Sequence, residues 1–144
     1  VFLGTLTKRK QPILLIRAIY QLRKRGLNIV LDLIGDGPLK EEIKETVKKL
    51  KLQRYVKIHG QLEDPFPVLS KADAFILPSL SEGVSRAAME ALYLGVPVLL
   101  RDVDGNSELV ESAALFKTDQ EMVDKMRRLA EKKNNRGHGK KCIL

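Results

Sequence analysis

Two carboxylates, Glu82 and Glu90, stand eight positions apart in a run that leads from an apolar stretch through Pro78-Ser-Leu-Ser-Glu-Gly-Val-Ser85 into a helical pattern. Glu82 falls in the loop and Glu90 about two turns into the helix, with the helix N-terminus between them. At about 1.5 Å of rise per residue, Glu90 lies about 7 to 10 Å along the axis from the first turn. Free N–H groups and the helix dipole favour an anion at that N-terminus. Ionised carboxylates only accept hydrogen bonds, so they suit hydroxyl donors on either side of the anion. A group with a negative centre flanked by hydroxyl-bearing rings, such as a sugar nucleotide, fits this layout. A second cluster, Lys8-Arg9-Lys10, directly follows the first apolar run, where ligand loops sit in α/β sheets. Taken alone, two such Glu residues are more often an exposed loop acid and a solvated helix residue.

The elements that must position these residues alternate along the whole chain. Strands are expected at 1–6, 28–34, 56–60, 74–77, 96–100 and 113–116, and helices at 13–25, 39–50, 65–70, 85–94, 106–111 and 119–133. Continuous apolar strands separated by helices predict a parallel, Rossmann-like sheet of about six strands covered on both faces. Residues 1–133 form the predicted domain, and 134–144 read as a basic, disordered tail.

Other chemistries find little support. Gly35-Asp36-Gly37 follows a strand, but Lys40 stands where a dinucleotide fingerprint needs its third Gly. His59 and His138 are far apart and lack metal-ligand spacing, so no metal is expected. His59, at a strand end, reads as a packing or hydrogen-bonding residue. Ser79, Ser81, Ser85 and Ser107 have no His in a nucleophile-elbow context. The single Cys142 excludes an internal disulfide framework and fits a reducing, cytoplasmic setting.

The net charge of +8 invites a nucleic-acid reading, yet the chain has no Trp and no matching motif, so no nucleic-acid partner is expected. No apolar run reaches the about 20 residues needed to cross a bilayer. Val1 falls within a strand pattern, so the chain reads as an excerpt, which leaves targeting and membrane association of the parent open.

The residues from Asp73 to Val110 closely resemble the donor-nucleotide half of family-4 retaining glycosyltransferases with the GT-B fold. The resemblance is carried by Ala72-Asp73-Ala74 with Pro78-Ser79, by Glu82-Gly83 with Glu90-Ala91, and by Leu94-Gly95-Val96-Pro97-Val98. Asp102-Val-Asp-Gly105, Glu108-Leu-Val110, Gly35-Asp-Gly-Pro38 and Lys10 extend it. It implies one half of a GT-B enzyme that transfers a hexose from a UDP- or GDP-sugar to an acceptor hydroxyl. Glu82 would lie by the reacting carbon and Lys10 would neutralise the diphosphate; Glu90 would bind the ribose. Gly83, Val84 and Ser85 would offer backbone N–H groups to the phosphates, with Gly4, Thr5 and Gly35 also at the donor. Backbone from Gly60 to Leu62 would meet the base.

Two departures stand out. Thr5 occupies the place where the family usually has Arg, so one diphosphate clamp is missing; losing a comparable donor costs about 100- to 1,000-fold in rate. Arg9 and Arg86 are the candidates to compensate. Ser85 replaces a common Gly. The acceptor domain would precede this segment in the parent. A non-catalytic nucleotide-sugar-binding or scaffold domain derived from such an enzyme is the second reading, favoured by Thr5, and a sugar-nucleotide epimerase of similar architecture is a third.

Overall fold

Branched and aromatic residues set the strands, and their register sets the edge at which ligands meet the sheet. The computed structural model describes residues 1–83, 85–136 and 140–144. Strands β1 (Phe2–Leu3), β2 (Ile29–Ile34) and β3 (Val56–Gly60) form one parallel ladder in the order β1-β2-β3. Strands β4 (Phe75–Leu77), β5 (Val98–Arg101) and β6 (Leu115–Phe116) form a second parallel ladder. The ladders meet at Val1. Its α-amine donates to Ala74 O at 2.7 Å, and Ile76 N–H donates to Val1 O at 2.9 Å. The lateral order is therefore β3-β2-β1-β4-β5-β6, which reverses direction between β1 and β4. Ligands of such sheets bind outside the strand carboxyl ends at that switch point.

Six α-helices among the described residues cover the sheet. Helix α1 (Pro12–Lys24) opens on Pro12, whose fixed φ suits a first helical position, and buries Leu15, Ile16, Ile19 and Leu22. Helix α2 (Lys40–Lys49) buries Ile43 and Val47. Helices α3 (Phe66–Ser70), α4 (Arg86–Tyr93) and α5 (Asn106–Leu109) are shorter, and α6 (Asp119–Arg136) buries Met122, Val123, Met126 and Ala130. Right-handed crossovers on either side of the switch point place α1 and α2 on one face and α4 on the other. Helix α1 also packs against α6. Phe2, Phe75 and Phe116, one each from β1, β4 and β6, are fully buried. Each such ring stabilises the fold by about 1.5 to 3 kcal/mol.

The end of the chain differs from expectation. In place of a disordered tail at 134–144, α6 continues to Arg136, and β7 (Cys142–Ile143) pairs in parallel with Ile29 and Val30 of β2. The reason is tertiary. Cys142 and Leu144 are fully buried. Asp73 fastens the segment with both carboxylate oxygens: Lys133 Nζ donates to Oδ1 at 2.9 Å and Ile143 N–H to Oδ2 at 2.8 Å. Burial pushes the Cys142 thiol up to about 11. His138 lies outside the described residues. No helix among the described residues is long and apolar enough to cross a membrane.

Candidate functional site

The loops after β1 and β4 meet at the switch point, and Lys10 and Glu82 join them. After β1 the chain runs through a 3-10 turn, Lys8–Lys10, to Gln11, which takes the left-handed conformation (φ 58°) ahead of Pro12. The Pro ring disfavours the right-handed helical region for the residue before it. That turn sends Lys10 across to the β4 loop. Its Nζ donates to both oxygens of Glu82 at 2.9 Å, and both side chains are largely shielded, Lys10 at 14% and Glu82 at 9% exposure. The two candidate catalytic residues thus form one charge-assisted pair between positions 72 apart in the chain.

Four further contacts hold the Glu82 loop. Leu80 N–H donates to Arg9 O at 2.8 Å, and Arg9 Nη1 donates to Ser81 O at 2.8 Å. The same Nη1 lies 3.8 Å from Glu82 Oε2. From the opposite side, Glu82 N–H donates to Asp104 Oδ2 at 2.5 Å. Asp104 adopts φ 48°, a left-handed conformation that Asp tolerates better than most residues. Below the loop, the buried Arg101 at the end of β5 donates from Nε to Pro78 O at 3.0 Å and from Nη2 to Asp119 Oδ1 at 3.0 Å. Asn106 in turn donates to Arg101 O at 2.8 Å.

Beyond Glu82 the chain enters α4. Gly83 is exposed, and Val84 lies outside the described residues. Ser85 caps α4, its buried Oγ accepting from Ala88 N–H at 3.1 Å. The hydroxyl is therefore committed to the helix start, a role that Gly performs less well. Glu90 is half-buried on α4, and its carboxylate has no hydrogen-bond or ion-pair partner among the described residues.

A cavity of about 430 Å³ adjoins this cluster at the carboxyl ends of β1, β2 and β3, lined in part by Gly4, Thr5, Gly35, Asp36, Gln61 and Leu62. Gly4 belongs to both places: a Cβ on it would sit 3.7 Å from Lys10 Cδ. Gly35 has φ 141°, and a Cβ there would fall 1.8 Å from Gly4 O. Only glycine allows the β1 and β2 loops to approach so closely. Gly60 stands behind this wall, its carbonyl accepting from Gly35 N–H at 2.8 Å.

The structure thus gathers Lys10 and Glu82 beside Gly83 and Ser85, lines the neighbouring cavity with Gly4, Thr5, Gly35 and Leu62, and sets Glu90 apart on α4. His59 hydrogen-bonds Asp32 through Nε2 at 2.7 Å. The sequence assigns no site role to Arg101, Asp104 or Asp36. Arg101 carried a signal, being a charge at the end of the apolar run Val-Leu-Leu. Asp104 sits within a recognisable Asp-Val-Asp-Gly loop. Among the described residues, no three His, Cys, Asp or Glu side chains gather into a metal-binding group.

The family model for glycosyl transferases group 1 matches residues 1–141. The chain belongs to that family. A group 1 relative from Xenopus tropicalis, glycosyltransferase 1 domain-containing protein 1, is 32% identical over 135 residues, covering 90% of this chain and 39% of its own length. An uncharacterized glycosyltransferase from Methanocaldococcus jannaschii is 36% identical over 100 residues, covering 69% of this chain and 25% of its own length. The chain thus spans 25% to 39% of these two relatives.

Two solved structures show the same fold, one half of a GT-B architecture. The pneumococcal O-GlcNAc transferase GtfA, solved with UDP and GlcNAc, superposes with a TM-score of 0.84 at 22% identity, covering 96% of this chain and 29% of that one. Anabaena HepE, solved with UDP-glucose, gives 0.80 at 25% identity, covering 91% and 38%.

Proposed function

We propose that this chain is the nucleotide-sugar-binding half of a retaining glycosyltransferase that moves a hexose from a UDP- or GDP-sugar to an acceptor hydroxyl. The observation that carries the reading is the Lys10–Glu82 pair, held at the switch point beside the α4 N-terminus and sharing Gly4 with the adjoining cavity. The cavity has room for a base and ribose, and the cations and the helix N-terminus meet the diphosphate. Gly83 and Ser85 offer backbone donors there; Glu90, on α4, takes the ribose hydroxyls.

In the reaction the bond from the anomeric carbon to the diphosphate oxygen breaks, and its electron pair stays with the diphosphate. The acceptor oxygen bonds the anomeric carbon, and its proton passes to the departing phosphate. Charge therefore grows on the diphosphate, and fixed donors aimed at it lower the barrier. Glu82, beside the sugar, accepts from its hydroxyls and balances the positive character that develops at the ring. The acceptor site belongs to a further domain of the parent, and protein cations in place of a metal carry the leaving-group charge.

A thermal-shift titration with UDP, GDP and their sugars tests the reading. Ligand at 100 times its dissociation constant adds about 2.7 kcal/mol of stability. If none of these ligands moves the transition at millimolar concentration, donor binding by this chain is refuted. Thr5, exposed and uncharged where the family usually has Arg, favours a second reading as a non-catalytic binding domain. Transfer by the parent that disappears in Glu82→Ala separates the two.

A further inference from the structure

We infer that Arg9 supplies the second positive charge on the donor diphosphate that Thr5 leaves out. The inference rests on the donor-binding reading above. The local charge balance motivates it. Lys10 spends two of its three N–H donors on Glu82 and is 14% exposed, so the pair presents almost no net charge to an incoming anion. A nucleoside diphosphate brings at least two negative charges to that spot and repels the Glu82 carboxylate. A further cation must balance them.

Arg9 is built for this. Its carbonyl accepts from Leu80 N–H and its Nη1 donates to Ser81 O, which fixes both ends of the residue to the Glu82 loop. The guanidinium lies 3.8 Å from Glu82 Oε2 and is 50% exposed. Among the described residues only Nη1 is engaged, which leaves the rest of the planar fork to face a phosphate in bidentate fashion. Arg86, the other candidate, begins α4, where its positive charge opposes the helix dipole, and none of its side-chain nitrogens has a partner among the described residues. The position differs from the usual clamp: the cation comes from the 3-10 turn after β1 instead of from the strand end.

The test titrates UDP, GDP and the phosphate-free nucleosides uridine and guanosine against the full-length protein by calorimetry. Arg9→Ala is expected to weaken the diphosphate that binds wild type by about 10- to 100-fold, as for a charged hydrogen bond. The matching nucleoside should bind within twofold of wild type. Arg9→Lys should retain part of the affinity, and Arg9→Ala combined with Thr5→Arg should recover at least tenfold, because it rebuilds the charge from the strand end. Arg86→Ala should leave both ligands unchanged. Equal loss for nucleoside and diphosphate would show a loop-holding role and overturn the inference. So would an unchanged diphosphate affinity in Arg9→Ala, or a larger loss in Arg86→Ala. Wild type that binds neither UDP nor GDP removes the donor-binding reading itself; wild type that binds and is indifferent to Arg9 removes only this assignment.

Discussion

The two halves of the sheet hold their ligand-facing loops by different means. In the half built from β1, β2 and β3, main-chain groups do the work. Gly4 N–H donates to Ile34 O, Leu6 N–H to Asp36 O, Leu39 N–H to Leu6 O and Gly35 N–H to Gly60 O, all between 2.8 and 3.0 Å. In the half built from β4, β5 and β6, one main-chain bond, Leu80 N–H to Arg9 O, is joined by side chains: Arg9, Lys10, Asp104, Arg101 and Asn106 each hold backbone or the Glu82 carboxylate. A wall fastened through its backbone tolerates most surface substitutions but not a new Cβ at a contact. A loop fastened by side chains loses one tie at a time and can be tuned.

Breaking the backbone-held wall should have the largest effect. Gly35→Ala forces a Cβ against Gly4 O at a positive φ, and equilibrium unfolding in urea should show a loss of at least about 3 kcal/mol. On the other half, Arg101→Met keeps the bulk of the side chain but leaves Pro78 O without its donor. Chemical denaturation should report about 2 kcal/mol of destabilisation, while Gly35-type collapse of the cavity is absent. Equal damage from the two substitutions would erase the contrast.

A finer test is Asp104→Ala, which removes one tie on Glu82 N–H. Stability should fall by no more than about 1 kcal/mol, and donor affinity by about fivefold, measured by calorimetry in the parent. The smallest effect belongs to Cys142, far from either loop set. Burial holds its folded thiol up at about 11, above the 9.0 of a free thiol. The unfolded chain therefore ionises first as pH rises. The stability contributed by the neutral thiol is complete below pH 9 and declines between pH 9 and about 11. Native protein at pH 8 should react with Ellman's reagent far more slowly than protein in urea, and Cys142→Val should flatten the alkaline decline.

Most elements were legible because their signals are local. Apolar runs mark the six expected strands, and Gly95 and Pro97 mark a helix end that the structure keeps within a few residues. The β7 pairing was not legible, since a two-residue strand has no periodicity of its own. It forms because Asp73 and the start of β2 offer partners from elsewhere in the chain. The Lys10–Glu82 pair was hidden for the same reason. Each residue was visible singly, but nothing in the spacing of 72 positions announces a contact. Ser85 looked like a replacement for Gly at a phosphate loop, and the structure shows it spending its hydroxyl on a cap.

The seating of β7 has a consequence of its own. Cys142 N–H donates to Asn28 O, Leu144 N–H to Val30 O, and Leu144 O accepts from Asp32 N–H, while Asp73 N–H reaches Ile143 O from the other side. Residues 142–144 therefore fill a slot with a hydrogen-bonding lip on each flank. A chain cut after Arg136 would carry that slot open, as a short template for strand addition. Such a protein should self-associate at concentrations where the whole chain does not, and a synthetic peptide of residues 140–144 should reverse it by occupying the slot from outside.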